Sequence, residues 1–207
     1  KLRGVIAATV PRPVTGSYLP VFRVAASFGA AAARLAGVTF METSHQEGHI
    51  RAGLYQQKLG EKFLAWHISG GTTELLLVQA KDWGFDIEKV GGSSDLQAGQ
   101  FVDRVGVALG TTFPAGPELE KLARGSETDG SLPVVLDGLN LSFSGPESAA
   151  QRLIKAGAAA DEVARQVYNC LGRSLFGLTC RAVEEFAINQ VLMVGGVASS
   201  QLIREYL

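Results

Sequence analysis

The sequence predicts a mixed α/β fold built on a largely parallel sheet, and three features carry that prediction. Short apolar runs alternate with helix-period segments over the first sixty positions, an apolar pair of runs flanks a Gly-Gly turn near position 70, and a long helix-period stretch leads into an apolar run ending on two glycines. At 207 residues and 46% apolar content the chain buries a core of its own.

The elements follow in order. Gly4 to Val10 reads as a buried strand, and Pro11 to Gly16 as a turn cluster. The Ala-rich stretch Phe22 to Ala36 reads as a helix closed by Gly37. Val38 to Thr43 is a second strand. Ser44 then stands three residues before Glu47, the spacing of a capping box, which predicts a helix from His45 to Gln57. Phe63 to Ile68 and Glu74 to Gln79 flank Ser69-Gly-Gly-Thr-Thr73 as a hairpin, with Phe85 to Val90 as a third strand beside them. Helical patterns follow at Gln97 to Leu109, Pro117 to Ala123, Ser148 to Ala156 and Asp161 to Ile188, with a short strand at Leu139 to Phe143. In the last helix the apolar positions 163, 164, 167, 171, 175, 178, 182, 183 and 186 keep close to a 3.6-residue period. Val191 to Val194 is a buried strand that delivers Gly195 and Gly196 to the next helix, which starts near Ser199. The chain opens on Lys1 and runs almost at once into a strand, so it reads as an interior piece of a longer protein. Two lobes are expected, 1–95 and 96–207.

Nineteen basic residues stand against twenty acidic ones, a net charge of −1, which excludes a polybasic nucleic-acid arm and leaves only a local patch for such contacts. Cys170 and Cys180 are ten residues apart on one predicted helix, separated by about 15 Å of rise, too far to bridge. Both read as small buried apolar residues in a reducing cytoplasm. No apolar run reaches the length needed to span a bilayer, so no membrane role is expected.

All three histidines fall between positions 45 and 67. His45 and His49 are four apart on the predicted helix, which puts both imidazoles on one face, as two nitrogen ligands of a divalent metal require. The alternative is a pair of polar histidines on a solvated face. Glu47 lies between them, and H-Q-E-G-H is not the H-E-x-x-H of a zincin. Gly48 inside a helix costs about 1 kcal/mol against Ala, a hint that something approaches the backbone there.

Six ordered segments carry more weight than any one of them: His45-Gln-Glu-Gly-His49-Ile, the Ser69-Gly-Gly turn, Ala98-Gly-Gln-Phe-Val-Asp103, Phe113-Pro-Ala-Gly-Pro117, Ser142-Phe-Ser-Gly145 and Gly195-Gly-Val197. Together they resemble the Kae/TsaD/Gcp family, which makes threonylcarbamoyladenosine in tRNA and long carried the label O-sialoglycoprotein endopeptidase. The resemblance covers nearly the whole chain and points to a divergent bacterial paralogue.

That resemblance implies the two-lobed actin-like ATPase (ribonuclease H-like) fold, with a nucleotide in the cleft. It implies that His45 and His49 ligate a divalent metal, iron or zinc, and that Ser69, Gly70 and Gly71 meet phosphate through backbone amides. It further implies that Asp103, Gly116 and Glu120 hold the ribose and base, and that Gly195, Gly196 and Ser200 border the adenine of ATP or an acyl-adenylate. His67 is either a third histidine ligand or, by strand alternation with Phe63 and Ala65, part of the core. No catalytic residue is assigned. The family's N-terminal phosphate loop and its aspartate ligand are expected outside these 207 residues.

Some positions differ from the family's pattern: Ser44 before the first ligand, Thr72 after the turn, Ala115 before Gly116, and Ser200 in place of an asparagine. The Pro11 to Pro20 segment differs more: its Arg12 and Tyr18 either serve a different acyl group or anion, or belong to a rigid surface loop. The leading expectation is a metal- and ATP- or adenylate-dependent threonylcarbamoyl transferase acting on tRNA or a related acceptor. It is expected to work in the cytoplasm, with a small paralogue or complex partner and as a dimer. The alternatives are a non-catalytic paralogue serving as scaffold or dimerisation partner, and the metallopeptidase of the old label.

Overall fold

The computed structural model describes residues 1–55 and 57–207. These divide into two compact units, Lys1–Phe63 with Val78–Glu88, and Leu64–Leu77 with Lys89–Leu207.

In the first unit, β1 (Gly4–Val10) pairs in parallel with β2 (Thr39–Ser44), Gly4 opposite Thr39 through Ala8 opposite Thr43. A parallel pair needs a crossover, and α1 (Pro20–Ala36) supplies it. Pro20 sits in the first helical turn, where its missing N–H costs nothing, so the helix starts two residues before the expected Phe22. Gly29 lets α1 lie close on the strands: a Cβ there would stand 2.7 Å from the Phe40 ring and 3.2 Å from the Ala7 methyl. Gly37 closes the helix at φ 63°. The helix α2 (His45–Leu54) opens on the predicted capping box, Ser44 Oγ accepting from the Glu47 N–H and Glu47 accepting from the Ser44 N–H. It ends at Leu54, three residues short of Gln57, and the expected extension crosses Gln56, outside the described residues.

The larger sheet comprises β3 (Lys62–Ile68), β4 (Thr73–Ala80), β5 (Phe85–Ser93), β6 (Val135–Asp137), β7 (Asn140–Ser142) and β8 (Val191–Val194), in the order β6-β7-β5-β4-β3-β8. β3 pairs in parallel with β8, Leu64 opposite Val191 through His67 opposite Val194; β5 pairs in parallel with β7, and β6 antiparallel with β7. Strand β6 was not expected. Strand β5 runs three residues past the expected Val90. Gly91 and Gly92 allow this, since a Cβ would stand 2.1 Å from the Leu139 carbonyl oxygen or 2.2 Å from that of Thr73.

The second unit is completed by α3 (Ala98–Ala108), α4 (Gly116–Ala123), α5 (Ser144–Lys155), α6 (Ala160–Phe186) and α7 (Gln201–Arg204). Its core gathers Trp66, Phe101, Phe143, Leu171 and Leu175, all fully buried, at about 1.5–3 kcal/mol for each large apolar side chain. Phe101 and Phe143 stack at 5.4 Å, and the Trp66 indole N–H donates to Thr179 Oγ1 at 2.9 Å. The predicted apolar stripe of α6 is buried from Val163 to Ala182, with Val183 and Phe186 partly buried. Cys170 is buried as expected, but Cys180 is exposed. Nine residues beyond Leu171 at 100° each, it faces the opposite side of the helix. Among the described residues, no helix is long and apolar enough to cross a membrane.

Candidate functional site

In the first unit, α2 brings His45 and His49 together, with their Nε2 atoms 3.2 Å apart and their rings edge to face at 4.5 Å. Burial and the neighbouring His45 hold the His49 pKa below its ordinary value, which favours the neutral imidazole. Glu47 faces away from this pair. Burial alone would raise its pKa, but hydrogen bonds from the Ser44 N–H and hydroxyl, the Thr43 hydroxyl and the Phe85 N–H outweigh that and lower it. The acid therefore ties α2 to the 85 segment and is not a base beside the histidines. A Cβ at Gly48 would meet nothing within 4 Å, so no described protein group accounts for that glycine. Among the described residues, no group of three or more His, Cys, Asp or Glu side chains is arranged to hold a metal.

The second unit contains a cavity of about 420 Å³, within the size range of small-molecule sites. Six of the expected residues line it: Gly70, Asp103, Gly116, Glu120, Gly196 and Ser200. Asp103 Oδ1 accepts the Ala115 N–H at 2.8 Å, which fixes the loop before α4 against α3. Glu120 Oε1 accepts from Gln201 N at 2.9 Å, Leu202 N at 3.2 Å and Arg124 Nη2 at 3.1 Å, so this carboxylate also caps α7. Ser200 completes that cap by accepting from the Ile203 N–H.

The turn at 69–72 closes with Ser69 N–H donating to the Thr72 carbonyl at 2.7 Å. It lies against the start of α3, where Gly99 has no room for a side chain: a Cβ would stand 2.5 Å from Gly70 Cα and 2.7 Å from the Ser69 carbonyl oxygen. Gly70 lines the cavity from this turn. Gly195 has a structural requirement of its own, with φ at 98° and a Cβ position 2.2 Å from the Ile68 carbonyl oxygen. Gly196 has open space around it and borders the cavity. His67 is 6% exposed, within β3.

Two residues of the second unit escaped the sequence reading. Tyr168 lines the cavity from α6 and donates its hydroxyl to the Gly116 carbonyl at 3.0 Å; burial, then Glu120 and Asp103, raise its pKa, so it stays a neutral donor. Only its place beside the apolar stripe could have flagged it. Asp95 accepts from Ser142 Oγ at 2.6 Å, Phe143 N at 3.0 Å and Ser144 N at 3.4 Å, and also from Leu96 N. This anchors the Ser142-Phe-Ser-Gly145 segment and starts α5 four residues before the expected Ser148. Burial opposes ionisation of Asp95, but these donors hold its pKa down at about 2.

Comparison with solved structures shows that this mixed α/β arrangement is the actin-like ATPase fold. Full-length HypF in a phosphate- and nucleotide-bound form superposes with a TM-score of 0.69 at 15% identity, over 87% of this chain and 33% of that one. HypF of T. kodakarensis superposes at 0.74 with 14% identity, over 99% and 36%. A sequence-family model described as TsaD, tRNA N6-adenosine threonylcarbamoyltransferase, matches residues 8–207, and the chain belongs to that family. The tRNA N6-adenosine threonylcarbamoyltransferase of a Sulfurihydrogenibium species is 37% identical over 170 residues, 79% of this chain and 50% of the relative. That of Archaeoglobus fulgidus is 30% identical over 192 residues, 91% of this chain and 57% of the relative. The chain thus spans about half the length of these relatives.

Proposed function

We propose that the protein containing this chain transfers a threonylcarbamoyl group to an adenosine of tRNA, with ATP or an acyl-adenylate in the cavity of the second unit and a divalent metal, iron or zinc, on His45 and His49. The observation that carries this reading is the cavity itself, where two carboxylates, a neutral tyrosine hydroxyl and glycine backbone converge on a space of nucleotide scale. Asp103 and Glu120 each use one oxygen within the protein and keep a second for a ribose hydroxyl. Gly195 and Gly196 keep side chains away from the base, with Ser200 at the rim, and the Ser69, Gly70 and Gly71 turn offers backbone to a phosphate.

The histidine pair suits a metal. Two imidazole nitrogens on one tetrahedral ion at about 2.0–2.1 Å stand roughly 3.3 Å apart, against 3.2 Å here. The bound ion supplies Lewis-acid polarisation of a carboxyl or phosphate oxygen. His67, buried within β3, suits a core position. With a net charge of −1, tRNA needs a local basic patch or a partner, such as a small paralogue or a second copy.

A scaffold role is the second reading, favoured by one observation: Glu120 Oε1 already serves three protein donors. The deciding experiment measures metal content and ATP affinity of the full-length protein beside a His45→Ala/His49→Ala variant. Metal near one per chain with ATP binding, and the metal lost in the variant, is the expected result. A protein that holds neither metal nor ATP overturns the transferase reading in favour of the scaffold.

A further inference from the structure

A second cavity of about 480 Å³ opens between α3 and α5, with Asp103 as the wall it shares with the first. Nothing in the proposed nucleotide and metal chemistry uses it. Its lining combines Gln100, Arg104, Val107, Phe113, Glu147 and Gln151. Phe113 is 76% exposed and Val107 51%, which gives the groove an aromatic platform beside an aliphatic one.

Two amides around that platform are held by hydrogen bonds. Gln100 Oε1 accepts the Gln97 N–H at 3.2 Å, which leaves the Gln100 amide hydrogens to donate. Gln151 Nε2 donates to Glu147 Oε1 at 3.0 Å, which leaves the Gln151 carbonyl to accept. Arg104 adds an exposed guanidinium that pairs with no described carboxylate. An aromatic face, a fixed amide donor, a fixed amide acceptor and a cation make a set that matches one ligand class. A flat heterocycle with a hydrogen-bonding edge and a nearby phosphate meets all four. A peptide would need an extended sheet edge or an apolar helix groove, and the groove offers neither.

We propose that this groove binds an unpaired purine base, stacked on Phe113, with its edge read by Gln100 and Gln151 and its phosphate met by Arg104. The inference rests on the transferase reading, under which an RNA strand is the source; a free nucleotide carries the same chemistry. It adds a second nucleobase site beside the cavity assigned to ATP.

The test uses the full-length protein and a short unpaired oligoribonucleotide with 2-aminopurine at its centre, whose fluorescence falls on stacking. Phe113→Ala is expected to weaken binding about tenfold and to abolish the quench, the range seen when a stacking aromatic is truncated. Gln151→Leu, on the helix across the groove, is expected to weaken binding and erase any preference for the purine over uracil at that position. ATP affinity should hold in both variants. Displacement of the oligonucleotide by AMP, sensitive to Phe113→Ala, identifies a free nucleotide as source and supports the site; absence of displacement identifies the strand and supports it equally. RNA binding and quench unmoved by both substitutions, with ATP binding intact, overturn the inference and leave the transferase reading standing. An unaltered protein that binds neither ATP nor RNA counts against both.

Discussion

Asp95 offers the sharpest test of how the second unit is held together. Its two oxygens take hydrogens from Ser142, Phe143, Ser144 and Leu96, so one carboxylate joins the segment before α3 to the start of α5, some fifty residues away. The negative charge also faces the positive end of that helix. The fall in its pKa from 3.8 to about 2 corresponds to about 2.4 kcal/mol at 1.36 kcal/mol per pH unit. Because the residue is solvent-facing, screening reduces this to about 1 kcal/mol. The folded pKa is depressed, so this stability is fully present above about pH 4 and is lost as pH falls through about 2. Asp95→Asn removes the charge and puts an amide donor opposite Ser142 or the Phe143 N–H, adding a cost of about 1–2 kcal/mol for unpaired hydrogens. Urea unfolding at pH 7 should therefore show a loss of about 2 kcal/mol. The gap between parent and variant should narrow between pH 4 and pH 2, and the Phe143 and Ser144 amides should exchange faster. A gap below about 0.5 kcal/mol at pH 7, or one that is the same at pH 2 and pH 7, would refute the assigned role.

Two further outcomes follow from local geometry. Gly195→Ala forces a methyl to within 2.2 Å of the Ile68 carbonyl oxygen at φ 98°, and denaturant titration should show a loss of about 3 kcal/mol or more; a loss under 1 kcal/mol would mean that the β8 exit is not packed as described. Burial raises the Cys170 thiol to about 11, against weaker lowering by Ser174 and Arg173, so at pH 8 only about one part in a thousand is thiolate. Peptide mapping after brief native alkylation should find Cys180 labelled and Cys170 protected, with both labelled in denaturant, and equal native labelling would contradict the orientation of α6.

What the sequence reveals depends on how far apart the partners stand. The capping box at Ser44 and Glu47 spans three residues and is found where the spacing puts it, as is the histidine pair, because helical periodicity alone fixes both. Strands next to tight turns and the long apolar stripe of α6 are equally local. Asp95 is different: three of its donors lie 47–49 residues away. Glu120 hides in the same manner, with its backbone donors 81–82 residues away. Gly99, Gly195 and Gly92 appear in the sequence only as glycines, and their necessity comes from a neighbouring backbone that no local pattern reveals.

One of these long-range contacts, that of Glu120, joins the cavity of the second unit to a short helix. α7 has four residues, too short to be stable by its own hydrogen bonds. Its free N–H groups are satisfied from outside the helix, by Glu120 on α4 and by Ser200. Those same two residues line the cavity. Wall and helix cap are thus one set of atoms, and a ligand that drew Glu120 Oε1 away from Gln201 and Leu202 would expose two amides at the helix start. Under the proposed function, the second oxygen of Glu120 is the one a ligand would use at no such cost, in a pose that leaves the α7 cap intact.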